Sequence, residues 1–330
     1  MNLNLDEALK YFNKIPKKLQ VVSLDPNYIY IDSLRNINLN NFFCVYKKDE
    51  NFSLNYFHLV KDNLCKTQDL ISSYNYGQTI HSTNDKDFIY QSSICFREWC
   101  LKKGIILKLS KIHPFINNVP NNENEVIYYN RDTVFIDLKQ DLFSSYQARS
   151  RTAIRKAKKM DMKISTENDF KAISKIYYEN MRSVNAKKFY FFNETYFEKL
   201  LNYDKSICFS AALNNKIIAF VLILFSDNAK IAEYHLGSSN AEGKSFNVNK
   251  LLLHEAASFF KKKNYDTFFL GGGRTHHQND KLLHFKKLFS KKIKKFYVSY
   301  EIFDKLKYKK LSDISKPSKK SGIIFYRPEV

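Results

Sequence analysis

The sequence predicts a mixed α/β protein built in two halves, on three observations. Apolar runs of strand type alternate with segments whose apolar residues recur at intervals of three and four; three successive strand runs are joined by short polar links; and 330 residues exceed one typical hydrophobic core. Two cores are the expectation.

In the first half, the runs FFCVY (42–46), FSLNYFHLV (52–60) and GIILKLSKIH (104–113) read as strands around a helical stretch near 86–103, without fixing their order. NNVPNNENE (117–125), polar and carrying a proline, reads as a surface loop. The second half is plainer. TVFIDL (133–138) is a strand, SSYQARSRTAIRKAKKM (144–160) a helix and MKIST (162–166) a strand. Phe170, Ile173, Tyr177, Met181 and Val184 then fall on one helix face, and a shorter helix follows near 193–203. ICFSAAL (207–213), KIIAFVLILF (216–225) and KIAEYHLG (230–237) have the tight links of an antiparallel meander. A helix capped by Asn247 or Asn249 runs to about 263, then DTFFL (266–270) is a strand, DKLLHFKKLF (280–289) a helix and KFYVSYEIF (295–303) a strand. The halves are drawn at 1–130 and 131–304. Residues 305–330, basic and carrying Pro317 and Pro328, are expected to pack back on the first half.

A net charge of +21 favours anionic partners, yet lysine is spread along the whole chain and no nucleic-acid module is recognisable, so charge alone assigns no function. Cys44, Cys65, Cys95, Cys100 and Cys208 stand singly, which excludes a disulfide framework or zinc knuckle and predicts reduced, mostly buried thiols. The N-terminus lacks a secretory profile and no apolar run reaches the ~18 residues of a membrane span, so a cytoplasmic protein without an integral membrane segment is expected.

The order of strand, helices, meander, helix, strand, helix, strand resembles the acyltransferase fold of the GNAT superfamily. YQARSRTAIRKAKK (146–159), NAKKFYFFNETYF (185–197), EYHLGSS (233–239), LGGG (270–273) and DKLLHFKKLFS (280–290) together look like the GNAT-related FemAB-type transferases. SSYNYG (72–77) resembles the Tyr-rich, Gly-ended turn such proteins carry in their first half. The resemblance implies two GNAT-like halves with an active cleft between them, in cell-wall or surface-polysaccharide synthesis. Its expected activity is N-acyl transfer from acyl-CoA to the amine of an activated amino sugar or glycan precursor. Alternatives are an aminoacyl-tRNA-dependent transferase acting on a cell-wall precursor, or a non-catalytic module that recognises a nucleotide or glycan.

The candidate residues follow. Gly271, Gly272 and Gly273 leave a strand end bare, where substrate can approach the backbone, or form a plain strand-to-loop turn, in a chain that holds only 8 glycines. Asp280 opens the next helix, as a cap or an acceptor contact. By resemblance to the family's Phe-Lys-x-x-Phe pattern, Lys286 binds the acceptor's phosphate or stabilises the oxyanion, with a surface lysine as the bland alternative. His235, and Glu233 on the same strand face, are candidate proton acceptors, or His235 is a hydrogen-bonded core histidine. Resemblance also assigns Lys188 and Tyr190 to acceptor contact and Tyr74, Tyr76 and Gly77 to a wall from the first half. In the family, a helix N-terminus holds the donor's pyrophosphate. The matching loop, SSNAEGKSFNVN (238–249), lacks the family's Gln/Arg-x-x-Gly-x-Gly/Ala pattern, and Gly243, Lys244, Ser245 and Asn249 remain as donor contacts. On 146–159, Arg151, Arg155 and Lys158 share a helical face able to track tRNA phosphates or merely to be solvated. No ligand set for a metal is expected, because His276 and His277 lack partners at ligand spacing.

Overall fold

The computed structural model describes residues 1–62, 66–116, 123–166, 169–275, 277, 279–314 and 323–326. Cys65, His276, Pro317, Pro328 and residues 117–122 of the expected loop lie outside them. The chain divides into two compact units, Met1–Tyr129 with Tyr297–Val330, and Asn130–Phe296.

The first unit opens with α1 (Leu5–Phe12) and α2 (Pro26–Ser33), then β1 (Leu39–Lys48), β2 (Asn51–Asp62), β3 (Thr67–Ile71), β4 (Ile80–His81), α3 (Lys86–Lys102) and β5 (Leu107–Ile112). From there β6 (Glu125–Asp137) carries the chain into the second unit: α4 (Leu142–Ser145), α5 (Ala148–Lys158), β7 (Lys163–Ser165), α6 (Phe170–Ser183), α7 (Glu194–Leu201), β8 (Ser206–Leu213), β9 (Lys216–Ser226), β10 (Ile231–Ser239), α8 (Ala241–Ser245), α9 (Val248–Lys262), β11 (Thr267–Gly272) and α10 (Lys281–Lys287). Finally β12 (Ile293–Ile302) returns to the first unit and α11 (Lys305–Ile314) follows. There Tyr326 donates to Asp69 at 2.7 Å.

Both units use the same sheet device. In the first, β1, β2, β3, β5 and the end of β12 lie side by side, antiparallel except for β3 and β5, which pair in parallel over Asp69–Ile71 and Leu107–Leu109. In the second, the order is β6, β11, β10, β9, β8, β7, again antiparallel apart from β10 and β11. β8, β9 and β10 form the expected meander. Val134, Ile136, Val221, Ile223, Leu252, Ala256, Phe268 and Phe289 belong to its apolar core, which joins sheet to α9 and α10.

Capping explains several helix starts. Asp85, Asp169, Asn193 and Asp280 each stand at an N-cap with the side chain accepting first-turn amides. The helix expected over 144–160 is instead broken. Tyr146 adopts an extended backbone that carries its ring into the core, edge-on to Phe289 at 5.2 Å, and Arg151 donates to the carbonyls of Phe143 and Tyr146 that the break leaves open.

SSYNYG closes the first unit's own parallel ladder. Ser72 bonds Leu109 and Gly77, the Gly77 amide reaches Lys111 at 2.9 Å, and the Lys111 amine donates to the carbonyls of Ser73 and Tyr74. Beneath it, buried Asp32 accepts from the Tyr74 amide, His58 and Arg35, each at 2.8 Å. Burial alone would raise the Asp32 carboxyl, but Arg35 and His58 outweigh it and hold it well below the usual carboxylate range. A carboxyl depressed by folding stabilises above its unfolded pKa near 4, and that contribution is lost as pH falls below it. Asp32→Asn should therefore cost about 3–5 kcal/mol in urea denaturation at pH 7, and less in acid.

Candidate active site

The parallel ladder between β10 and β11 runs only from Ile231/Thr267 to Glu233/Phe269. Both strands bulge just beyond it, β10 at His235 and β11 at Leu270, and no pairing continues among the described residues. The strands open at that point.

Each of the three glycines meets a different constraint there. Gly271 takes φ +75 at the bulge, a conformation that L side chains rarely adopt. A Cβ on Gly272 would meet the Arg131 side chain at 2.9 Å. One on Gly273 would stand 2.6 Å from the Asp280 carboxyl carbon. The glycines are half-buried, and side chains occupy the space that the missing Cβ atoms of Gly272 and Gly273 leave.

Lys286 reaches this strand end from α10. It is only 6% exposed, its amine donates to the Gly272 carbonyl at 2.7 Å and lies 5.6 Å from the Tyr234 ring centre. Burial, reinforced by Arg131 and opposed by Asp280, pushes the amine down to about 7. Asp280 shapes the loop rather than offering a free carboxylate. One oxygen accepts from Leu282 and Leu283 amides, the other from the Arg274 and Thr275 amides and the Thr275 hydroxyl. Burial works against its charge, but those bonds hold it at about 2.

Of the candidate proton acceptors, His235 bonds the Tyr196 hydroxyl at 3.0 Å and Glu233 is 2% exposed on the last rung. Strand alternation turns Glu233 away from Tyr234, so Glu233 and Lys286 approach the ladder's end from opposite faces. Lys188 and Tyr190 lie in a short 3₁₀ turn, Lys188 exposed and the Tyr190 carbonyl accepting from Tyr177 at 2.9 Å. Tyr74, Tyr76 and Gly77 belong to the first unit, in the closing turn described above.

A second feature lies at the α8–α9 corner. A cavity of about 550 Å³ is lined by Arg149, Lys156 and Met160 on the α5 side and Ser245, Asn247 and Lys250 on the other. Asn247 has a left-handed backbone and its side chain caps nothing, which leaves the first-turn amides of α9 without that acceptor. Lys250 is 7% exposed, its amine lowered by burial and then by Arg149. Among the described residues, Arg149, Lys156 and Lys250 have no ion-pair partner. Three cations facing one cavity without a carboxylate suit an anion. Of the donor candidates, Ser245 lines it and Asn249 has a buried side-chain oxygen with no partner among the described residues. Lys244 is exposed, whereas Gly243 serves packing, since a Cβ there would press on the Ile218 carbonyl. Arg151, Arg155 and Lys158 are otherwise engaged, with carbonyls, the Phe143 ring and Glu255 respectively. The α5 face left for phosphate is the one bearing Arg149 and Lys156.

Sequence reading missed Arg131, Tyr234 and Lys250. Only Lys250 carried a signal, a lysine set directly before the apolar run LLL. Among the described residues no group of three or more His, Cys, Asp or Glu could hold a metal, and no helix is long and apolar enough to cross a membrane.

No protein-family model and no curated protein matches the sequence. Solved structures do match. FemX aligns over 92% of this chain and 97% of its own, with TM-score 0.64 at 11% identity. L-PGS from Bacillus licheniformis aligns over 89% and 91%, with TM-score 0.58 at 14% identity. A tandem GNAT protein from the clavulanic acid biosynthesis pathway aligns over 91% and 97%, with TM-score 0.53 at 10% identity. At such identities the likeness establishes the fold alone: mixed α/β, with two GNAT-like halves.

Proposed function

We propose that the protein is an N-acyltransferase that moves an acyl group from acyl-CoA to the amine of an activated amino sugar or glycan precursor in surface-polysaccharide synthesis. The observation that carries this reading is the opening of β10 from β11 with the buried Lys286 amine standing at its edge on Gly272. A donor carbonyl held there is attacked by the acceptor amine; a C–N bond forms, and the C–S bond of the donor breaks. Lys286 in its charged form stabilises the oxyanion, and His235 or Glu233, at the ladder's end, takes the amine's proton. The cationic cavity beside α9 receives the donor's phosphates.

One observation favours a second donor. The cavity relies on side chains of α5 and α9 in place of a glycine phosphate loop, which suits an aminoacyl-tRNA whose amino acid goes to a cell-wall precursor. Acetyl-CoA with UDP-glucosamine as acceptor tests the first reading, and alanyl-tRNA with a UDP-linked muramyl peptide carrying a free amine tests the second. With acetyl-CoA as donor, Lys250→Met should raise its KM about tenfold and leave kcat within about twofold, since it removes ground-state and transition-state binding equally. Transfer only from charged tRNA, weakening steeply with salt, selects the second reading. Transfer from neither donor overturns both.

A further inference from the structure

We propose that Arg131 is a positioning residue for Lys286: it lies across Gly272, holds the Gly273 carbonyl, and keeps a second fixed positive charge beside the Lys286 amine. The inference rests on the role given to Lys286 above.

Successive carbonyls of the glycine strand are each held by a cation. Lys286 donates to Gly272 at 2.7 Å, and Arg131 donates through Nη1 to Gly273 at 2.6 Å. Arg131 gets there from β6 only because Gly272 has no Cβ, as its Cδ would lie 2.9 Å from one. Its Nε donates in turn to Asn130 at 2.6 Å. A planar guanidinium bonded at two points is fixed in direction as well as place, which a lysine cannot reproduce.

Among the described residues, the charged and titratable groups around the Lys286 amine are few. Asp280, at the N-cap of its own helix, favours the ammonium; Arg131, from β6, disfavours it; Tyr234, from β10, offers its ring face; and the glycines of β11 bring no side chain. The Asp280 charge is already spread over five donors. Arg131 is thus the neighbour whose removal shifts the balance toward the charged amine. It also ties the Gly273 carbonyl down, so that the strand end stays where Lys286 can reach it.

The test needs no substrate, so its failure is distinct from failure of the transferase reading. The reactivity of Lys286 toward acetic anhydride is followed against pH by mass spectrometry, with circular dichroism confirming the fold of each variant. Arg131→Gln, which keeps an N–H donor and loses the charge, should move the Lys286 midpoint up by about one pH unit. Arg131→Lys, which keeps the charge but cannot bond Asn130 and Gly273 together, should move it by less than half as much. An unmoved midpoint in folded Arg131→Gln, or equal shifts in the two variants, overturns the proposal. Should Arg131→Gln fail to fold, Arg131→Met, which also removes the charge, takes its place in the same titration, with the same outcomes supporting or overturning the proposal.

Discussion

Lys286→Met should lower kcat for transfer by about 10²–10³-fold with little change in KM, the loss expected when one preorganised oxyanion donor is removed. The pH dependence of the unaltered protein follows from the same group. Its amine titrates at about 7, and the charged form is the one proposed to act, so kcat should fall as pH rises through that value. A rate that instead climbs through pH 7 would reassign Lys286 as the base. The variant carries its own control. Burying an amine disfavours its charge, so folding is weakened by it below the unfolded lysine's pKa, and methionine of similar length relieves that cost. Lost transfer should therefore accompany an unchanged or higher Tm, a trade between stability and function expected of a strained site. Loss of both would mean that Lys286 is structural.

Gly273→Ala should destabilise the protein by about 2–4 kcal/mol in urea denaturation, because it combines overpacking with the loss of a helix cap. The new methyl group would come within 2.6 Å of the Asp280 carboxyl carbon and 3.0 Å of the Leu283 Cβ. Asp280 cannot step aside without releasing the amides of Arg274, Thr275, Leu282 and Leu283. A double-mutant cycle tests the cause. Adding Asp280→Ser, whose side chain is shorter, should recover part of the loss, so the double variant is less unstable than the two single costs added together. Strict additivity would show that the two residues do not compete for one space.

The elements that could be read in advance were those decided by local physics. The meander shows as three apolar runs with short polar links, α6 has a period of three to four, and the cap at Asp280 is a set of short-range hydrogen bonds. β6 was legible only in its second half. Its earlier residues include Glu125, buried because Lys108 at 3.2 Å and Ser299 bond its carboxylate, and a glutamate in a polar stretch gives no sign of such partners. Likewise the basic period of α5 was visible, whereas the division of its cations between Glu255, Phe143, backbone carbonyls and the cavity was not.

By itself, then, the sequence determined the α/β class, the order of elements in the second half and the unusual glycine cluster ahead of Lys286, since periodicity, capping and backbone freedom are properties of neighbouring residues. Only the tertiary structure decided what the glycines are for. Arg131 and Asp280 enter the space beside Gly272 and Gly273 from β6 and α10, and a buried amine's charge depends on groups brought near it by folding, whatever their distance along the chain.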